Sequence, residues 1–157
     1  MQMKAEWREK MIAELLDVNQ IELDVEAEDW REALRMAGRV LVQSGKIGRE
    51  YVESTIRAVE KLGPYIVIMP GVAFGHSRPD ETVKENCMQI IRLKTPVCFG
   101  SSQNDPVKLV ILFATTDSDG HLHALRELAE LMSEPSNVKL LMESNRIEEI
   151  QKMLAEY

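Results

Sequence analysis

The stretch Gly63–Asp80, which reads GPYIVIMPGVAFGHSRPD, decides how this chain folds. Its apolar run Tyr65–Met69 is short, unbroken and rich in branched residues, which is typical of a strand covered on both faces. A second run of the same kind lies at Leu109–Phe113. These two runs predict the buried centre of a β-sheet, and His76 lies just beyond the first of them.

Periodic apolar patterns surround this centre. Helices are predicted at Glu28–Ser44, Arg49–Leu62, His121–Met132, Asn137–Glu143 and Ile147–Glu156, with an additional one at Glu6–Leu16. The helix from His121 is expected to bury Leu122, Leu125, Leu128 and Ala129. Further strands are predicted at Met88–Leu93, at Val97–Phe99 and, along a sheet edge, at Ile21–Val25. Helices on both sides of buried strands predict a three-layer α/β fold with a mixed β-sheet. We expect a single domain spanning residues 1–157.

Composition excludes several classes of function. The 157 residues carry a formal net charge of −7 at pH 7, which leaves no broad basic face for nucleic acid. The two cysteines, Cys87 and Cys98, form no Cys-x-x-Cys pair, which fits a reducing cytosol. The N-terminal stretch Met1–Lys10 is charged, and no run approaches the roughly 18 apolar residues of a membrane helix. We therefore expect a soluble, cytoplasmic protein.

Histidines are the side chains here that are ready nucleophiles at neutral pH, because their unperturbed pKa is about 6.5. His76 and His121 each follow a predicted central strand, and they converge if those strands are parallel neighbours. At a helix start, the helix dipole keeps His121 neutral and free backbone N–H groups favour an anion. His123, two residues away, faces elsewhere and is predicted to lie on a solvent-exposed polar face.

A neutral imidazole can attack phosphorus and later pass the phosphoryl group on. Such a transfer needs positioning and hydrogen-bond donors for the phosphoryl oxygens, which Ser77, Arg78, His121 and the backbone around Gly75 can supply. Each of these residues also has an ordinary interpretation, such as a turn-forming serine, a surface arginine or a structural loop histidine. A zinc site at His121 and His123 is an alternative that no paired ligand spacing supports. No phosphate loop for ATP is present.

Several segments together resemble the mannitol/fructose-type IIA domains of sugar phosphotransferase systems, and most closely their ascorbate-type branch. The similar segments are Trp30–Ala33, Tyr51–Glu53, Gly63–Phe74, His76–Asp80, Asn104–Val107 leading into the strand at Leu109, and His121-Leu122 with Leu125 and Leu128. His76–Asp80 is similar to the end of the block that carries the family's phosphorylated histidine. The order and spacing of these segments give the resemblance its specificity.

The resemblance implies a mannitol-type IIA fold and a phosphocarrier function. His76 would accept a phosphoryl group from the carrier protein HPr and donate it to a cysteine of a cognate IIB protein. IIB would phosphorylate a sugar entering through a IIC permease, with no direct sugar binding by this chain. His121 would bind the phosphoryl group without carrying it, and no metal or organic cofactor would be used. The transported compound would be ascorbate or a related sugar or pentitol.

The chain departs from the family pattern at two positions. Gly75 stands where the family usually has proline before the active histidine, which predicts a less rigid loop. Val59 stands where the mannitol branch has an arginine, so Arg78 is the candidate to neutralise the phosphoryl charge. Two alternatives remain: a regulatory relative that controls a partner through its phosphorylation state, and a silent interaction domain of the same fold.

Overall fold

The computed structural model describes residues 12, 15, 16 and 20–157, so the predicted helix Glu6–Leu16 falls largely outside the described residues. The strands are β1 (Ile21–Val25), β2 (Val67–Met69), β3 (Val72–Gly75), β4 (Cys87–Val97) and β5 (Val107–Ala114). The helices are α1 (Trp30–Gln43), α2 (Arg49–Leu62), α3 (Ser118–Met132), α4 (Pro135–Glu143) and α5 (Ile147–Leu154). None of the helices in the described part is long and apolar enough to span a membrane.

The five strands form one mixed sheet in the order β1-β4-β5-β3-β2. β3 is parallel to β5 and β1 to β4, whereas the β4–β5 and β2–β3 pairs are antiparallel. Alternate residues of β5 point to opposite faces: Leu112 packs with α1 and α2, and Phe113 with α3, α4 and α5. The predicted three-layer α/β fold with a mixed sheet and an edge strand β1 is confirmed.

The segment Gly63–Asp80 forms two strands where one was predicted. The run Tyr65–Met69 becomes only a three-residue edge strand, β2, with Ile68 48% exposed, so the prediction of a strand covered on both faces was wrong. The buried strand is β3, whose four residues are all buried. Gly71, at φ +77°, turns the chain between β2 and β3, a conformation that glycine adopts without strain.

The boundaries of one strand and one helix differ from the predicted ones. Met88–Leu93 and Val97–Phe99 were predicted as separate strands, but β4 is one strand of 11 residues, Cys87–Val97, with a register shift between Arg92 and Val97. Cys98 and Phe99 lie beyond its end. α3 begins at Ser118 because the carboxylate of Asp117 accepts the N–H of Gly120 at 2.6 Å. His121 is therefore the fourth residue of α3, not its first.

The buried face of α3 is rotated from the predicted one. Leu128 is buried and Leu125 partly buried, but Leu122 is 57% exposed and Ala129 is exposed. The core is reached instead by Ala124, Glu127, Leu128, Leu131 and Met132. Leu122 is thus an apolar residue next to His121 that the core does not use.

Candidate functional site

The structure brings His76 and His121 together at one end of two parallel neighbouring strands. His76 directly follows β3, and α3, which carries His121, follows β5. Gly75 at the end of β3 is paired with Leu112 in β5. The carboxyl ends of these two parallel strands therefore lie at the same end of the sheet. The imidazole centroids lie 5.1 Å apart, with the ring planes at 59°.

Aromatic side chains fix the ring of His76 at the border between core and solvent. Phe113 is fully buried and stacks on His76 with a centroid distance of 5.2 Å and an interplanar angle of 23°. Phe113 also contacts His121, at 5.5 Å. Tyr65, which is 41% exposed, meets His76 edge-on at 5.8 Å. The His76 imidazole therefore stacks on the buried Phe113 ring and also meets the exposed Tyr65 ring.

The backbone selects which nitrogen of His76 is free. Nδ1 lies 2.7 Å from the carbonyl oxygen of Phe74. A carbonyl only accepts, so the proton of the neutral ring is assigned to Nδ1, and Nε2 keeps its lone pair. Burial lowers the pKa of His76 from its ordinary value of 6.5; the Phe74 carbonyl opposes this shift, and His121 adds to it. The neutral imidazole, with the lone pair on Nε2, is the form at pH 7.

His121 is held neutral by the same kind of effect, because burial lowers its pKa. Its Nδ1 is buried and makes no hydrogen bond to any residue that the structure describes. Buried polar atoms normally have a partner, so this unpaired nitrogen is available for a ligand oxygen or for water. Its ring centroid lies 5.1 Å from that of His76.

His123 does not lie on the solvent-exposed face that was predicted for it. Its side chain is only 15% exposed, and its Nε2 lies 3.6 Å from Oε1 of the buried Glu127, one helical turn further along α3. The prediction failed because the buried stripe of α3 includes Glu127 itself. Across the described part of the chain, no group of three or more His, Cys, Asp or Glu residues could hold a metal ion.

The remaining predicted site residues have different environments. The backbone N–H of Ser77 donates to the hydroxyl of Tyr51 at 3.0 Å. Arg78 is exposed and makes no hydrogen bond or ion pair with the residues in the described ranges. Gly75 is the buried last residue of β3 and so does not lie in a loop, whereas the lower rigidity expected from glycine in place of proline stays a prediction. A Cβ at this position would lie 3.0 Å from Leu34 Cδ2, a tight contact that would require Leu34 to shift by a few tenths of an ångström.

The sequence-based reasoning missed Tyr51 and Phe113 as residues of this site. Phe113 was treated only as a core strand residue, and Tyr51 only as part of a helix pattern. A signal was available for Tyr51, because a tyrosine on the buried stripe of an amphipathic helix must find a hydrogen-bond partner for its hydroxyl.

Comparisons with known proteins match this architecture. Residues 14–157 match the family described as "Phosphoenolpyruvate-dependent sugar phosphotransferase system, EIIA 2". The ascorbate-specific PTS system EIIA component of Salmonella choleraesuis (strain SC-B67) is 32% identical over 142 residues, covering 90% of this chain and 92% of that protein.

Solved structures give the same result for the fold. The mannitol-specific cryptic phosphotransferase enzyme IIA CmtB from Escherichia coli has a TM-score of 0.83 at 25% identity, covering 93% of this chain and 99% of that one. Enzyme IIA mannitol from Escherichia coli, solved in complex with phosphorylated enzyme IIB mannitol, has a TM-score of 0.80 at 25% identity, with coverage of 90% and 98%. The predicted mannitol-type IIA fold and the resemblance are thereby confirmed, and the chain belongs to the EIIA type 2 family of the phosphoenolpyruvate-dependent sugar phosphotransferase system.

Proposed function

We propose that this chain is a phosphocarrier that takes a phosphoryl group from phospho-HPr onto Nε2 of His76 and gives it to a cysteine of a cognate IIB protein. One observation carries the proposal: the ring of His76 donates from Nδ1 to the Phe74 carbonyl, and so presents an unprotonated Nε2 beside His121. A nitrogen with a free lone pair, in a site that excludes part of the solvent, suits nucleophilic attack on phosphorus.

The transfer balances without an outside proton donor. The lone pair of His76 Nε2 forms a bond to phosphorus while the P–N bond of phospho-HPr breaks, and the electron pair of that bond returns to the HPr imidazole. The proton on Nδ1 of His76 stays in place, so the phosphorylated ring is cationic and its hydrogen bond to the Phe74 carbonyl becomes stronger. Attack by a cysteine thiolate of IIB then breaks the N–P bond and restores the neutral imidazole.

We assign phosphoryl binding to His121, with a ring N–H donating to a phosphoryl oxygen. A neutral donor near the N-terminus of α3 is supported by the lowered pKa of His121 and by the partial positive charge of a helix start. Ser77 adds a hydroxyl next to the nucleophile. Gly75, the last residue of β3, places His76 directly beyond the strand, and the backbone around it supports phosphoryl binding.

Arg78 is proposed to neutralise the phosphoryl charge, since it is exposed and has no partner among the residues that the structure describes. We expect Arg78→Ala to slow phosphoryl acceptance by about tenfold, because a hydrogen bond to a charged group is worth about 1.5–3 kcal/mol and solvent weakens it here. Rapid-quench rates with phospho-HPr measure this. Arg146→Ala removes an exposed arginine from the start of α5 and serves as the control. Equal rates for Arg78→Ala and the parent would disprove the role.

The surface around His76 has exposed apolar side chains that favour docking of a protein partner. Tyr65 beside His76 and Leu122 beside His121 are both large apolar residues that remain exposed. Exposed apolar side chains next to a reactive group favour docking of a protein. Similarity to an IIA enzyme solved with phosphorylated IIB supports IIB as one partner, and similarity to ascorbate-specific components supports uptake of ascorbate or a related sugar or pentitol. Such a component works in the cytoplasm and contacts the IIC permease only through IIB.

The proposal is tested by incubating the chain with phosphoenolpyruvate, HPr and the first enzyme of the relay. We expect the intact mass to rise by one phosphoryl group, with an acid-labile, base-stable linkage that maps to His76. Adding the IIB protein of an ascorbate system should then remove the label within seconds. A chain that stays unlabelled, or that is labelled at another residue, would contradict the proposal.

A further inference from the structure

The hydroxyl of Tyr51 lies at a junction behind the candidate site. Tyr51 belongs to α2 and is fully buried. Its Oη lies 2.7 Å from the carbonyl oxygen of Phe113, 3.0 Å from the backbone nitrogen of Ser77 and 3.2 Å from the carbonyl oxygen of Ser77. One side chain thus joins the end of β5 to the residue that follows His76.

The chemistry of a hydroxyl assigns the direction of these bonds. Oη has one proton, which goes to the nearer carbonyl, that of Phe113, and it accepts the N–H of Ser77 with a lone pair. Burial raises the pKa of Tyr51, so the phenol keeps its proton at neutral pH. The hydroxyl can therefore both donate to Phe113 and accept from Ser77 there.

Both ends of this bridge bear on the His76 ring. Phe113 supplies the surface on which that ring stacks, and Ser77 is covalently next to His76. Phe113 also contacts His121. A shift at either end would change the distance between the two imidazoles and the angle at which Nδ1 of His76 meets the Phe74 carbonyl.

Tyr65, the other tyrosine at the site, does not form an equivalent buried bridge. The hydroxyl of Tyr65 donates to the carbonyl of His76 at 3.3 Å, but Tyr65 is largely exposed and water can replace that bond. Loss of the Tyr51 hydroxyl would instead remove the acceptor of the part-buried Ser77 N–H and a donor to the carbonyl of the buried Phe113, and the backbone can compensate only by moving.

We infer that Tyr51 is a positioning residue for phosphoryl transfer: through Ser77 and Phe113, its hydroxyl holds the His76 imidazole in the Nδ1–H tautomer with Nε2 beside His121. The rate consequence rests on the proposed phosphocarrier function. The positioning itself is a property of the free protein and can be measured without phosphorylation.

The test uses Tyr51→Phe, which removes one oxygen and keeps the ring. The matched control is Tyr157→Phe, which removes a hydroxyl bonded to Asn137 Nδ2 at 2.9 Å, far along the chain in the layer of α4 and α5. Imidazole ¹H–¹⁵N correlation spectra at temperatures where both variants remain folded report the tautomer of His76. We expect well-separated nitrogen shifts in the parent and in Tyr157→Phe, and averaged shifts in Tyr51→Phe.

Phosphoryl acceptance from phospho-HPr should fall at least about tenfold in Tyr51→Phe and stay unchanged in Tyr157→Phe, because small misplacements of a reacting group cost up to about 100-fold in rate. A purely structural role for Tyr51 would lower the melting temperature and leave the His76 tautomer and its titration as in Tyr157→Phe. That result would overturn the inference.

A measurement on the parent protein keeps the inference testable if Tyr51→Phe does not fold. The Ser77 amide should exchange with deuterium slowly, and its proton should show a nuclear Overhauser contact to the Tyr51 hydroxyl or ring. An unprotected Ser77 amide overturns the inference. If the parent takes no label from phospho-HPr, the phosphocarrier function fails, whereas the tautomer and exchange data still decide the positioning role of Tyr51.

Discussion

Replacing His76 with alanine should abolish phosphoryl acceptance completely when phosphoenolpyruvate, HPr and the first enzyme of the relay are supplied. The variant lacks the proposed nucleophile, the Nε2 of a ring that donates from Nδ1 to the Phe74 carbonyl. His121 cannot replace it at the same position, because the imidazoles are held 5.1 Å apart on different chain segments. Intact-mass spectrometry under mildly basic conditions measures the label.

A histidine control separates loss of the nucleophile from damage to the protein. His123→Ala removes a partly buried imidazole whose neighbour is Glu127 on the same helix, and it should still be labelled. His76→Gln preserves most of the side-chain volume against Phe113, and it should be as inactive as His76→Ala. Label on either His76 variant would mean that another residue carries the phosphoryl group.

Periodicity predicted the layers of this fold because it reports burial directly. α1 and α2 each pack one face against the core, which gives their sequences a helical apolar period. β5 is covered on both faces, which gives its unbroken apolar run. His76 and His121 were predicted to converge beyond parallel neighbouring strands, and they do so beyond β3 and β5. The strand predicted before His76, Tyr65–Met69, is instead the antiparallel edge strand β2.

Other features depend on contacts that no local pattern contains. Gly75 resembled a loop residue, but it is the buried last residue of β3, and Leu34 from a distant helix would be in tight contact with a Cβ there. Leu122 matched the apolar repeat of a buried face and is exposed beside His121, since a surface that binds partners has the same residue types as a core. The bonds of Tyr51 span 26 and 62 positions in the sequence, so its role required coordinates.

Substitution of His121 by alanine should slow phosphoryl acceptance by about 100- to 1,000-fold without abolishing it, which is the usual cost of removing one preorganised donor to developing charge. The nucleophile survives, so label should still accumulate over minutes and should still map to His76. His121→Asn keeps an N–H donor on a shorter side chain and should lose less. Rapid-quench single-turnover rates at pH 7.5 measure the three proteins.

The pH dependence of the rate of phosphoryl acceptance gives a second, independent test of the role of His121. His121 contributes to the lowered pKa of His76, so its removal should raise that pKa toward 6.5. Only the neutral His76 ring attacks phosphorus, so the rate falls as the pH drops through the pKa of His76. The parent should therefore keep its reactive neutral His76 to a lower pH, whereas His121→Ala should begin to lose its own, slower rate at a higher pH.

The ratio of the two rates at each pH removes the titration of phospho-HPr, which both proteins share. We expect the ratio of the parent rate to the His121→Ala rate to grow as the solution is acidified from pH 7.5. The control His123→Ala should show the same pH profile as the parent, because His123 lies beside Glu127 and does not contribute to the pKa of His76. A ratio that stays constant down to pH 5.5 would mean that His121 does not influence the charge on His76, and a rate equal to that of the parent would mean that it does not bind the phosphoryl group.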